Sequence, residues 1–169
     1  MIVLGCDPGV NGAFALVKDG TPVLVLDLPT TVVVKSDKKR RELDAYEFAR
    51  LIDAAGHIDH AFIERVGAMP TDGAIQAFAF GQVFGAIRGV LAAHFIPMTL
   101  VSPVTWRNAL GIRRAEKPGD KSLVIARANE LFPSHAHHWK AKCHADRAEA
   151  CLIGEFGRRV RSGGKDLAL

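Results

Sequence analysis

Hydrophobic and polar positions change rhythm several times along this chain of 169 residues. Short apolar, partly β-branched runs near residues 2 to 7, 11 to 18 and 22 to 28 read as three strands. A Gly9-containing turn and the pair Asp19-Gly20 separate them, so they predict an antiparallel meander. From about Asp44 to Ala55 the rhythm becomes helical, with Tyr46, Phe48, Ala49, Leu51 and Ile52 on one apolar face. His60 to Glu64 predicts a further strand, Gly73 to Phe95 a long helix, and Met98 to Val101 a fifth strand. Helices then follow at Pro103 to Leu110, at Asp120 to Leu131 and at Asp146 to Val160. The basic stretch Lys35 to Arg41 falls between the third strand and the first helix, and the stretch before Asp146 reads as a polar loop. The class is α/β, with residues 1–161 as one domain and 162–169 as a loose tail.

Two of these strands end in acids, which apolar strands do not need for packing. Ile2-Val3-Leu4-Gly5-Cys6 delivers Asp7 to the turn Pro8-Gly9, and His60-Ala61-Phe62-Ile63 delivers Glu64. On the last helix Asp146 and Glu149 stand three apart, so both carboxylates face the same way. Each acid has an ordinary use: Asp7 in a turn, Glu64 paired with Arg65 or another base, Asp146 as an N-cap with Glu149 at N3. Taken together, two strand-end acids and a helical pair favour one shared divalent-cation site, because like charges held close resist joint ionisation unless a cation lies between them.

Composition narrows the setting. At 49% hydrophobic the chain can fill one core but not two comfortable ones. No uninterrupted apolar run of about 18 residues is present and Met1 leads straight into a strand, so a cytoplasmic protein without a membrane segment is expected. Cys6, Cys143 and Cys151 are odd in number and lack CxxC spacing, which reads as reduced thiols. The 22 Lys and Arg against 18 Asp and Glu leave a net charge of +4, compatible with a nucleic-acid partner. Their clustering in loops and helix ends is what phosphate contact uses, although a solvated surface has the same look.

Four segments together carry a closer signal: Asp7-Pro8-Gly9 with Asn11-Gly12-Ala13, Ile63-Glu64-Arg65, Phe80-Gly81-Gln82-Val83-Phe84-Gly85-Ala86-Ile87-Arg88-Gly89, and Asp146-Arg147-Ala148-Glu149-Ala150. In order and spacing they resemble RuvC-type Holliday-junction resolvases, particularly the phage-like branch, over nearly the whole chain. The resemblance implies a ribonuclease H-like fold, with a five-stranded mixed sheet of three antiparallel strands and then parallel ones, flanked by helices. It also implies a homodimeric crossover-junction endonuclease of a bacterial or phage-infected cell that nicks four-way DNA junctions to leave 5′-phosphate and 3′-hydroxyl ends. Asp7, Glu64, Asp146 and Glu149 would be its catalytic and metal-holding residues, with two Mg²⁺ ions per site, Mn²⁺ as a substitute, and no nucleotide cofactor. Glu149 stands where housekeeping members more often have Asp. A register placing Cys143 or His144 with Asp146 is the alternative, but the apolar run after Glu149 fits the first better. Expected DNA contacts are Arg65, Gln82, Arg88, Arg107, Arg113, Arg114, Lys117, Lys121, Lys38, Lys39 and Arg40; Lys121 is also a candidate for steadying transition-state charge.

Gly81, Gly85 and Gly89 recur every four residues and form one small-residue stripe on the long helix. Each glycine costs about 1 kcal/mol relative to alanine there, so something should approach closely: either the chain's own sheet or a partner helix in a homodimer. Phe78, Phe80 and Phe84 read as core, or as a wedge at a junction. His135, His137, His138, Cys143 and His144 fit no common zinc spacing. Other function classes remain: a nuclease of the same fold acting on flaps, other branched DNA or RNA–DNA hybrids, or a silent DNA-binding module. A sugar-kinase-like ATPase would share the strand-turn-strand opening but lacks room for a second lobe.

Overall fold

The computed structural model describes residues 1–35, 38–65, 67, 73–113, 119–141 and 144–163. Strands β1 (Ile2–Asp7), β2 (Ala13–Lys18) and β3 (Thr21–Asp27) form the expected meander, with Asp7 opposite Ala13 and Ala13 opposite Asp27. Asp19 and Gly20 at the β2–β3 turn have φ of 50° and 89°, the successive left-handed residues that a tight hairpin needs to match strand twist.

Two ribbon strands come next, β4 (Thr30–Lys35) and β5 (Lys38–Leu43), paired antiparallel and apart from the main sheet. This hairpin corrects the expected basic loop. Its second strand carries charges on both faces, so no period-2 apolar alternation marks it in the sequence.

Helix α1 (Ala45–Ala55) begins at Asp44, whose Oδ1 accepts the Glu47 amide at 2.9 Å, and it buries Phe48 and Ile52. Strand β6 (His60–Glu64) lies parallel to β1, and β7 (Met98–Val101) lies parallel to β6. The sheet order β3-β2-β1-β6-β7 is therefore three antiparallel strands followed by parallel ones. Between β6 and β7 runs α2 (Ala74–Ala93). Helices α3 (Pro103–Ala109), α4 (Ser122–Leu131) and α5 (Ala145–Arg161) follow. A 3₁₀ helix, Pro133–Trp139, replaces part of the expected polar loop; its Trp139 is buried and donates Nε1–H to Asn129 Oδ1 at 2.8 Å.

The sheet has a core on each face. Val3, Ala15 and Phe62 pack with Trp106, Ala148 and Phe156 under α3, α4 and α5. Leu4, Phe14 and Ile63 pack with Phe48, Ile87 and Leu91 under α1 and α2. The two helix layers meet the sheet differently. On the first face a Cβ at Gly5 would overlap Ala150 O and Gly154 N, so β1 and α5 touch main chain to main chain. On the second, α2 anchors itself through Val83, Ile87 and Leu91 while Ile75 (66% exposed) and Phe78 (68% exposed) face outward. With 20 residues and a mean hydropathy of 1.3, α2 has the length and composition of a membrane span, although Gln82 and Arg88 interrupt it.

Candidate metal centre

Because β1 and β6 are parallel neighbours with Cys6 beside Ile63, their C-terminal ends bring Asp7 and Glu64 out at the same edge of the sheet. The close seating of α5 on Gly5 then sets the first turns of that helix against the end of β1. As a result, carboxylate oxygens of Asp7, Asp146 and Glu149 lie within 4.8 Å of one another. Asp146 is not an N-cap: His144 takes that position, and the Asp146 side chain is engaged by Lys121.

Each acid has a defined partner. Lys121, at the N-cap of α4, donates to Asp146 Oδ1 at 3.0 Å and also to Glu149 Oε2. Arg107 Nη2 donates to the other oxygen, Glu149 Oε1, at 2.6 Å, so Glu149 is 2% exposed yet doubly neutralised. Glu64 Oε2 accepts the indole N–H of Trp106 at 2.7 Å. The consecutive residues Trp106 and Arg107 on α3 thus orient two different acids, and the Arg107 guanidinium lies over the Trp106 ring at 5.0 Å.

The electrostatics follow from burial. Asp7 is pushed well above the usual carboxylate range by desolvation and then by the charges of Glu149 and Glu64. Glu64 is raised by desolvation, against which the Trp106 bond acts. For Lys121, desolvation alone would lower the pKa, but Glu149's charge and the bonds to Glu149 and Asp146 reverse this and keep the ammonium protonated. Cys6, buried beside the site, is raised by desolvation and is no nucleophile.

This donor set fits a hard divalent cation. It consists of carboxylate oxygens, it destabilises its own negative charge, and it already accepts an ammonium group among its oxygens. Among the described residues it is the one group of His, Cys, Asp or Glu side chains whose ligand atoms come this close together. His135, His137 and His138 stack on the 3₁₀ helix, with ring centroids 4.1 to 6.4 Å apart, and do not form such a group.

The remaining expected residues scatter. Arg107 and Lys121 are bound to the acids. Lys39 and Arg40 are exposed on β5, Arg65 is exposed just after β6, and Arg113 is exposed after α3. On α2, Gln82 is exposed, and Arg88 lies 5.4 Å from the Phe84 ring. Arg114, Lys117, Cys143 and the Lys38 side chain lie outside the described residues. Among the described residues nothing would lie within 4 Å of a Cβ at Gly81, Gly85 or Gly89, so the stripe does not pack on the chain's own sheet. The exposed reading also holds for Phe78 and Phe80, at 68% and 41%, which the core reading does not accommodate.

Sequence reasoning missed Trp106 and the Asp27–Arg147 pair, and it placed Arg41 in the basic stretch without singling it out. Arg147 grips Asp27 through two bonds of 2.6 and 2.7 Å and holds its carboxyl below the usual range. For Trp106 the one signal was an aromatic residue with a polar N–H on a short helix.

No family model matches this chain. No curated protein matches it either. Among solved structures, Thermus thermophilus RuvC in complex with a Holliday junction substrate superposes with a TM-score of 0.57 at 15% identity, covering 96% of this chain and 97% of that one. A second Thermus thermophilus RuvC structure gives 0.52 at 17% identity, with the same coverage. The fold of this chain is therefore that of RuvC, the ribonuclease H-like arrangement, over nearly its full length.

Proposed function

We propose that this protein is a divalent-metal-dependent endodeoxyribonuclease that resolves four-way DNA junctions as a homodimer, leaving 5′-phosphate and 3′-hydroxyl ends. The observation that carries the reading is the convergence of Asp7, Asp146 and Glu149 within 4.8 Å, at the strand-end edge of a fold shared with a junction-bound RuvC. When held by these carboxylates, Mg²⁺ or Mn²⁺ supplies an activated water and charge neutralisation at the departing oxygen.

The chain's own groups do the rest. Asp7, Asp146 and Glu149 would form the cation-holding set. Glu64, on the neighbouring strand and held by Trp106, lies outside that 4.8 Å group and would add a fourth carboxylate at its edge. Arg107 fixes the Glu149 carboxylate, and Lys121 keeps a protonated ammonium beside the acids, where it can meet phosphate charge. Pairing of two active sites falls to α2. Its Gly81, Gly85 and Gly89 face and its exposed Ile75 and Phe78 form an apolar surface that permits close approach of a second copy.

The test is a cleavage assay comparing four-way junction, flap, duplex and RNA–DNA hybrid in Mg²⁺. Wild type is expected to cut the junction in paired nicks, and Asp7→Asn to lose at least about 1,000-fold in rate while still binding junction. Near-normal cleavage by Asp7→Asn would reject the site. Preference for flap or hybrid would reject the substrate.

A further inference from the structure

We infer that the β4–β5 hairpin is a guide for a single DNA strand, with Arg41 pinning one backbone phosphate of the strand that enters the metal centre. This rests on the proposed nuclease function and adds a binding residue to it. Arg41 and Val10 border two adjoining hollows. One, of about 490 Å³, continues past Asn11 and His144 to Lys121 and Asp146 at the metal centre. The other, of about 300 Å³, continues past Glu42 to Gln82 on α2. Together they make a path from the acids to the exposed helix, and Arg41 stands where the two halves join.

The guanidinium is set in place before any ligand arrives. Its Nε and Nη2 donate to Thr30 Oγ1 at 3.2 and 3.0 Å, and Nη1 donates to Asn11 Oδ1 at 3.0 Å. Both hydrogen-bonding anchors are neutral, so the charge is oriented without a direct carboxylate bond, although it lies near enough to Asp27 to help lower that acid's pKa. The contrast with Arg107, Arg147 and Arg158 is direct, since each of those is bound to a carboxylate. Asp27, the acid that shares the first hollow, is taken up by Arg147. A positioned guanidinium with N–H groups to spare is the geometry that phosphate recognition uses, and pre-orientation lowers the ordering cost of binding.

The same face of the hairpin adds apolar contact. Val32 stands across from Arg41 and Val34 across from Lys39, and the two valines are 59% and 66% exposed. A row of exposed valines on β4 beside a row of cations on β5 suits a strand that presents sugars on one side and phosphates on the other, and gives a core-packing strand no advantage.

The experiment uses the full chain in Ca²⁺, where binding is read without cutting. Its probes are a fluorescein-labelled single-stranded oligonucleotide and a labelled four-way junction, each also made with single methylphosphonate substitutions along one strand. R41A is expected to weaken both unmodified probes about tenfold, as loss of one charge-assisted phosphate contact should. One neutralised phosphate should weaken wild-type binding by a similar factor, and R41A should bind that modified probe no worse than the unmodified one. N11A, which leaves Arg41 charged but held by Thr30 alone, should show a loss of about threefold at the same phosphate, so that a folding defect in R41A does not decide the matter. Unchanged binding by R41A and N11A, or penalties that multiply at every position, would overturn the guide. A chain that cuts junctions yet ignores R41A rejects the guide alone; one that binds strands through Arg41 but cuts no DNA supports the guide and rejects the nuclease.

Discussion

At Asp7 two demands oppose each other. The residue ends a buried strand, where water is excluded, and faces the charges of Glu149 and Glu64. Its folded pKa is therefore raised above the ordinary 3.8, and the sign for stability follows. A carboxyl with a raised folded pKa contributes its full stability below the unfolded value and loses it as pH rises through the folded one. Without metal, the ionised Asp7 should thus weaken the fold at neutral and alkaline pH. In EDTA, Asp7→Asn is expected to melt above wild type at about pH 8, and the gap should close as pH falls toward about 4. Thermal melts across that range check this, and a variant that melts below wild type at pH 8 would show that Asp7 is not strained by its neighbours. The carboxylate that the proposed chemistry requires is then one that the bare fold would be better without.

At the scale of elements, α2 divides its faces between the sheet and the proposed partner helix. Its Val83, Ile87 and Leu91 hold it to the sheet, and the glycine face opposite meets none of the described residues. Replacing Gly85 with leucine should leave the monomer folded and its helix favoured by up to about 1 kcal/mol, while bulk blocks a second helix from approaching. Sedimentation should then show a dimeric wild type and a monomeric Gly85→Leu; a Gly85→Leu that stays dimeric would move the interface elsewhere. The elements that position the acids were legible from sequence, because β1, β6 and α5 carry strong apolar patterns ending at or opening on charged residues. The β4–β5 hairpin was not, since Lys39, Arg40 and Arg41 hide strand periodicity behind charge. Nor could sequence show that Trp106 reaches Glu64 or that Arg41 reaches Asn11. Those contacts span 42 and 30 residues and depend on how separate elements dock. The open glycine face was a genuine alternative in the sequence, and it needed the packing of α2 to decide it.

On the scale of the whole molecule, the candidate site belongs to no single segment. Asp7 comes from the first strand, Glu64 from the fourth strand of the five-stranded sheet to be laid down, and Asp146 and Glu149 from α5. Activity and helical signal should therefore vanish together in urea, with coincident midpoints, if the fold unfolds as one unit. Cleavage persisting after the helical signal is lost would mean that the acids meet without the docked α5. The same arrangement has a consequence for the protein while it is being made. Asp7 leaves the ribosome long before Asp146 and Glu149, and until α5 settles on Gly5 no set of acids exists to hold a cation. On the proposed nuclease reading a half-synthesised chain would be a harmless one, a useful property for a protein made beside the nucleic acids it would cut.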